Sequence, residues 1–409
     1  LAWSPDGEWI AYVNHNSVWR RGLNRAPASI WILDANGGEP VLVTDEEHLN
    51  VSPQWLPDGR HLLFVSNRDG ARNLYAVEVG PAGPLGPARA IPGAPDPHSI
   101  SISADGSRLA YSRFPASQNI WSIRIPPSGT VSIRDAVQLT TGDQLIEGHS
   151  LSPDSEWIVF DSDIGPVLDI YKQPIGGESP QPRLVADISS DAHNPAWSPD
   201  GTQIAFYATP EESDGSAEVF VVSVDGGTPV QVTDCVAVFP TWSPDGLAIA
   251  FNSWGTDPDG KRNIWVVSRE GVGMPWSDEV QLTDVEDCAW PDWAPDGESL
   301  VCATGRGGWL RVSRDGEVMY EDDGMPVTLP YFSSPKFSPD GSRLYVIGTH
   351  ENGSQGVWST PVDGGEATLL VAFDDPSRLV LHVLTVGPEN FYLTVAEYES
   401  DIWVMDLDW

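Results

Sequence analysis

Trp197-Ser198-Pro199-Asp200-Gly201 is a five-residue stretch that the chain uses repeatedly. Trp242-Ser243-Pro244-Asp245-Gly246 copies it, and Trp3-Ser4-Pro5-Asp6-Gly7 opens the chain with it. Phe337-Ser338-Pro339-Asp340-Gly341 and Trp293-Ala294-Pro295-Asp296-Gly297 each change one residue. Looser copies stand at 55–59, 102–106 and 151–155, and a worn ninth at 386–390. Ser, Pro, Asp and Gly in this order are the residues of a tight type I turn. Pro presets φ, Asp bonds local backbone, and Gly takes the left-handed conformation that follows. A large apolar residue ends one strand before the turn, and a run such as Ile204-Ala205-Phe206 starts the next. Each copy therefore reads as an antiparallel hairpin.

Successive turn aspartates lie roughly 45–50 residues apart, the period of a four-stranded propeller blade. Each interval holds four short strand signals. The third is an apolar residue followed by an aromatic, as in Ile30-Trp31, Ile120-Trp121, Val219-Phe220, Ile264-Trp265 and Ile402-Trp403. The fourth often ends in Leu-Thr or Val-Thr, at Thr44, Thr140, Thr233 and Thr283. The fold class is all-β: a single β-propeller of four-stranded antiparallel blades, eight or nine in number. The units run approximately 1–50, 51–97, 98–146, 147–192, 193–237, 238–287, 288–332, 333–380 and 381–409. The last lacks its outer strand, which is expected upstream of Leu1. The aligned Trp3, Trp55, Trp197, Trp242 and Trp293 are expected to pack between blades, because stacked repeats bury the same position each time.

Composition narrows the setting. The chain has 409 residues, with 59 acidic against 22 basic and a net charge of −37. Such a surface repels nucleic acid and anionic membrane and favours solubility. The three cysteines show no metal-ligand spacing. Cys302 reads as a small core residue, and Cys235 and Cys288 as unbridged. The chain opens inside a repeat with no initiator Met, signal peptide or membrane-length apolar run, and so reads as a fragment or processed form.

The Trp-Ser-Pro-Asp-Gly turn, Ile204-Ala205-Phe206, Ile264-Trp265-Val266, Asp225-Gly226-Gly227, Gln138-Leu139-Thr140 and Gln281-Leu282-Thr283 together resemble TolB-type β-propeller repeats across essentially the whole chain. The resemblance implies a bacterial, periplasmic or extracellular interaction protein. Similar propellers precede the hydrolase domain of prolyl oligopeptidase-like peptidases, serve as sensing domains of Ser/Thr kinases, or carry a metal-dependent site, as in oligogalacturonate lyases.

Chemistry was sought where the units differ. No Gly-x-Ser-x-Gly elbow, phosphate-binding Gly loop or His-Glu-x-x-His occurs. Seven residues before the turn acid stand His98, Glu147, His193 and His382. This is the entry to the innermost strand, where a ring fold gathers aligned positions at one channel mouth. Imidazoles and a carboxylate there form a candidate divalent-metal set. His149, with Asp161, Asp163, Glu211, Glu212, Asp214, Asp257 and Asp259 on loops expected at the same face, forms a candidate acidic rim for a basic partner. The leading expectation is a non-catalytic scaffold for a protein or peptide partner, without a cofactor, serving as a sensing or accessory domain of a larger protein. The alternatives are a metal-dependent lyase or hydrolase, and the propeller of a prolyl oligopeptidase-like peptidase. Neither nucleic acid nor membrane insertion is expected.

Overall fold

A computed structural model describes residues 1–14, 27–113, 116–142, 144–164, 167–176, 181–186, 190–210, 216–253, 261–285, 287–322, 327–329, 333–398 and 401–407. The described residues form β-strands, a single 3-10 turn at Ile133–Asp135, and no α-helix. The repeated turn forms as its residues dictate. Ser198 Oγ donates to Asp200 Oδ1 at 2.7 Å, and Asp200 Oδ1 also accepts Thr202 N at 3.0 Å. Gly201 follows at φ +76°. The same Ser–Asp bond recurs at Ser4, Ser103, Ser152, Ser243 and Ser338. The Ser103 and Ser338 hydroxyls, with backbone N–H groups, hold Asp105 and Asp340 down at about 2. The carboxylates of Asp105 and Asp340 are thus committed to their own turns.

Two compact units result: Ser117–Glu397, and Leu1–Ala116 with Tyr398–Trp409. In the larger unit the innermost strands of six sheets are His149–Leu151, Ala192–Trp197, Val238–Trp242, Ala289–Trp293, Lys336–Phe337 and Arg378–Val386. Each lies beside the next, and Lys336–Phe337 leads back to Arg378–Val386, which adjoins His149–Leu151. The cycle therefore closes. Apolar clusters fill the gaps between successive sheets. One joins Val219 and Val221 to Trp242, Ile249 and Phe251 of the following sheet.

The smaller unit holds three sheets. Its first contains Ala2–Trp3, Trp9–Asn14, Ser29–Asp34 and Val41–Leu42. Its second is built on Asn50–Trp55, His61–Asp69 and Ala71–Gly80. Its third joins Ser99–Ile102 and Arg108–Arg113 to Asp401–Asp406. Trp55, Trp197, Trp242 and Trp293 are buried as expected, whereas Trp3 is 56% exposed. Trp3 belongs to the first sheet of the smaller unit.

The propeller architecture of four-stranded antiparallel blades is present. Six of the nine turns fall in the larger unit and three in the smaller. The ninth repeat is shared between two sheets, and among the described residues no outer strand pairs with its third strand. Its first two strands, Arg378–Val386 and Asn390–Tyr398, complete a sheet with Ala116–Arg124 and Val137–Gln138. Its third, Asp401–Asp406, pairs with Arg108–Arg113. The third and ninth repeats have exchanged outer strands. The physical reason is that Ile120-Trp121 and Ile402-Trp403 carry the same alternation, so either fits the same ladder.

The cysteine expectation is corrected as well. Cys288 and Cys302 form a disulfide, with Cα atoms 5.6 Å apart, and Cys235 is the free thiol. Ala289 pairs with Ala303, which brings their neighbours together inside one repeat rather than across two. Both half-cystines are buried. Replacing Cys288 and Cys302 by Ala is expected to lower the unfolding free energy by about 2–4 kcal/mol. Urea unfolding of the double variant beside the parent checks this.

Candidate functional site

The larger unit encloses a cavity of about 350 Å³, lined from all six innermost strands by residues that include His149, Asn194, Phe239, Trp290, Lys336 and His382. A bulge near the start of these strands shapes the lining. The pairing register shifts between His193 and Ala196, Val238 and Thr241, and Ala289 and Asp292. At each bulge one residue turns left-handed: Asn194 at φ 48°, Phe239 at 55° and Trp290 at 56°. For side chains other than Gly and Asn this costs on the order of 1–2 kcal/mol, and such strain concentrates at functional sites.

A bulge frees backbone N–H groups, and side chains on the second strands, of the same sheet or the preceding one, accept these and neighbouring amides. Asp161, fully buried at the end of Trp157–Ser162, accepts Glu147 N at 2.7 Å and Gly148 N at 2.8 Å on Oδ1. Its Oδ2 accepts Asn194 N at 2.8 Å. Asn252 occupies the same repeat position two units on, and its Oδ1 accepts Trp290 N at 2.7 Å. Gly148 is required by crowding, since a Cβ there would lie 2.7 Å from Asn194 Cα. Between these two pins stands Tyr207, whose ring meets Phe239 edge-on at 5.6 Å and stacks on His193 at 5.1 Å. Phe239 continues to Trp290 at 5.8 Å. The Arg262 guanidinium lies 4.9 Å from the Trp290 ring centre and forms a forked pair with Asp287. An arc of four rings therefore forms, of which Phe239 and Trp290 line the cavity, with a buried acid–imidazole group at one end and an Arg–Asp pair at the other.

The acid–imidazole group is electrostatically tight. His193 Nδ1 lies 3.0 Å from Glu147 Oε2. Burial opposes charge on His193, but Glu147 and then Asp161 outweigh it, and the imidazole pKa rises above its usual 6.5. Burial first, then Glu147, push Asp161 up to about 7. Burial, with the same two carboxylates, raises Tyr207 far above its usual range. His149 is different. Thr385 Oγ1 donates to His149 O at 2.9 Å, so His149 Nδ1 must donate to Thr385 Oγ1, also at 2.9 Å. Burial, helped by the Lys336 charge, pushes its pKa down to about 3, and it stays neutral.

The structure brings Glu147, His193 and Asp161 together, and places His149 and His382 along the cavity. His98 belongs to the smaller unit, where its Nδ1 lies 3.2 Å from Arg72 Nη1. Asp161 and His149 are buried rather than on an exposed rim. Asp163 accepts Leu145 N at 2.7 Å. Glu211, Glu212, Asp214, Asp257 and Asp259 lie outside the described residues. Among the described residues no three His, Cys, Asp or Glu side chains converge as a metal-ligand set. No described helix is long and apolar enough to cross a membrane. Asn194, Tyr207, Phe239 and Trp290 were not singled out from sequence. The signal that could have found Asn194, Phe239 and Trp290 is their place one residue before Pro195, Pro240 and Pro291, at the step after the flagged position.

For stability, His193 and Asp161 act with one sign. A folded pKa above the unfolded value adds stability that is fully present below the unfolded pKa and lost as pH rises through the folded one. For Asp161 that window runs from 3.8 to about 7; for His193 it lies above 6.5. His149, lowered to about 3, makes stability rise with pH up to 6.5 and acts no further. Stability is therefore expected to fall as pH rises above 6.5, and Glu147→Gln to flatten that fall. Urea midpoints measured across the range check both.

No family model matches the sequence. The uncharacterized peptidase YuxL of Bacillus subtilis is 25% identical over 226 residues, covering 53% of this chain and 30% of that protein. The Tol-Pal system protein TolB of Alcanivorax borkumensis is 38% identical over 68 residues, covering 17% of this chain and 14% of that protein. The chain thus spans less than a third of the length of either curated relative. A solved structure of a TolB-like protein from Agrobacterium tumefaciens superposes with a TM-score of 0.52 at 19% identity, covering 69% of this chain and 99% of that one. With its repeated Ser–Asp turns and its four-stranded antiparallel sheets, the chain has the fold of the TolB-type β-propellers.

Proposed function

We propose that the chain is a non-catalytic binding scaffold that takes an extended peptide or protein segment at the mouth of the six-sheet unit. The observation that carries this reading is the arc of His193, Tyr207, Phe239 and Trp290, with two of its aromatic side chains on strained left-handed backbone. Aromatic anchors dominate polypeptide recognition because they bury large area at small entropy cost. Glu147 and Asp161 beside them give that end of the arc a carboxylate character, which favours a segment carrying a basic or N–H-rich group.

Phe239 separates recognition from folding. Asn adopts left-handed backbone more readily than Phe, so Phe239→Asn relieves strain while removing the ring. Its unfolding free energy is expected to stay within about 1 kcal/mol of the parent, since lost packing offsets released strain. Its affinity for peptides selected on the parent from a displayed library is expected to fall at least about tenfold, the effect of losing an anchor ring. Selected peptides that bind the variant as tightly as the parent would place recognition elsewhere.

A second reading has one observation behind it: the match to the Bacillus subtilis peptidase, of which the chain covers 30%. On that reading the scaffold is the propeller of a larger peptidase and presents substrate segments to a separate catalytic domain. The open reading frame that encodes these residues decides it. A Gly-x-Ser-x-Gly elbow in the same frame supports it, and a frame without one removes it.

A further inference from the structure

Lys336 is out of keeping with the chain that contains it. The sequence has 59 acidic residues and only three lysines, Lys172, Lys261 and Lys336. Among the described residues that line the six-sheet cavity, Lys336 is the only Lys or Arg. Its Nζ donates to Asp292 Oδ1 at 3.0 Å, and its side chain is 25% exposed. An ammonium has three protons to donate, and no other described group accepts one from Lys336. Asp292 is engaged on both oxygens, since its Oδ2 accepts Phe337 N at 3.0 Å.

His149 has the opposite character. It lines the same cavity and is buried. Its Nδ1–H is held by Thr385 Oγ1, which leaves Nε2 as a bare acceptor, and no described group donates to it. Burial and the nearby Lys336 charge keep that nitrogen from taking a proton. A buried acceptor without a partner favours a ligand that brings a donor. Lys336 stands one residue before Phe337 as Asp292 stands before Trp293, and Trp290 lies two residues before Asp292. At about 3.3 Å per residue, the Lys336–Asp292 pair is no more than about 7 Å along the strands from Trp290. Two residues of extended chain span that distance.

We propose that Lys336 and His149 form a subsite for the C-terminal residue of a peptide, whose carboxylate meets the Lys336 ammonium and whose N–H donates to His149 Nε2. A carboxylate beside an N–H answers both groups at once, because one end only accepts and the other donates. An internal amide brings Lys336 no charge. In a chain of net charge −37 an acidic peptide is repelled more than a segment with one terminal charge. This subsite rests on the reading of the cavity as a peptide site, and adds which part of the peptide enters it.

The test presents the full chain with a pool of random N-acetylated hexapeptides, made once with a free C-terminal carboxylate and once with a C-terminal amide. Retained peptides are identified by mass spectrometry. Retention from the carboxylate pool is expected to exceed that from the amide pool at least about tenfold. Peptides ending in Pro, which has no N–H, are expected to be missing from the retained set. Lys336→Arg, which keeps the charge beside Asp292, is expected to keep the preference, and Lys336→Gln to lose it. Thermal unfolding of both variants beside the parent checks that they fold, and the comparison of the two pools on the parent needs neither. Equal retention from the two pools overturns the subsite and leaves the peptide reading standing, whereas retention from neither overturns both. A preference that survives in folded Lys336→Gln overturns the subsite by placing the carboxylate elsewhere. So do amide-pool peptides that share an internal Asp or Glu and depend on Lys336, since they assign the ammonium to a side-chain carboxylate. Frequent terminal Pro removes the His149 contact.

Discussion

A bulge in a strand releases backbone N–H groups from the ladder, and a buried N–H without a partner costs on the order of 1–3 kcal/mol. Several innermost strands of this protein are bulged, and side chains of the preceding sheet supply acceptors to them. Asp161 accepts Asn194 N of the next sheet beside Glu147 N and Gly148 N of its own, and Asn252 accepts Trp290 N. Ser150 accepts Trp197 N, and Asp292 accepts Phe337 N, one step further along the strand. In the smaller unit Ser52 accepts Ile100 N in the same manner. Side chains that bond backbone across a sheet boundary set the angle at which one sheet meets the next. The apolar clusters between sheets then fill a gap whose geometry is already fixed.

The same constraint explains the character of the site. An Asp placed to hold three amides must be buried, and its burial beside Glu147 raises its pKa. The imidazole of His193 answers that excess of acid. The left-handed residues exist because the strand bulges, and they turn Phe239 and Trp290 toward the cavity. Strain, buried charge and aromatic display are thus three outcomes of one backbone irregularity repeated around the unit.

Much of this was legible in sequence. Ser-Pro-Asp-Gly is a local signal, since every bond it makes lies within five residues, and the period followed from it. The position of Glu147 and His193 could be flagged because units differ there. Asn194, Phe239 and Trp290 escaped because their significance rests on a backbone conformation set by the bulge and the neighbouring sheet, to which the proline that follows each is the one local clue. The Cys288–Cys302 bond escaped for a similar reason. Cys235 and Cys288 both stand shortly before a turn in neighbouring repeats, whereas the true partner lies within the same hairpin. The exchange of outer strands was invisible because Ile120-Trp121 and Ile402-Trp403 are equally good answers to one pattern. Sequence alternation selects the face of a strand but not which copy supplies it.

The exchange has a bearing on how the molecule comes into being. Ala116–Arg124 is made well before Asn390–Tyr398, the strand that its apolar edge is shaped for. Until Asn390–Tyr398 arrives, the six-sheet cycle stays open, and the nascent protein carries an unmatched strand through the translation of five whole repeats. Loop closure over such a span is slow, and exposed edges in the interval invite mispairing among repeats this alike. The dense negative charge of the chain gives unfinished molecules a reason to stay apart while they wait.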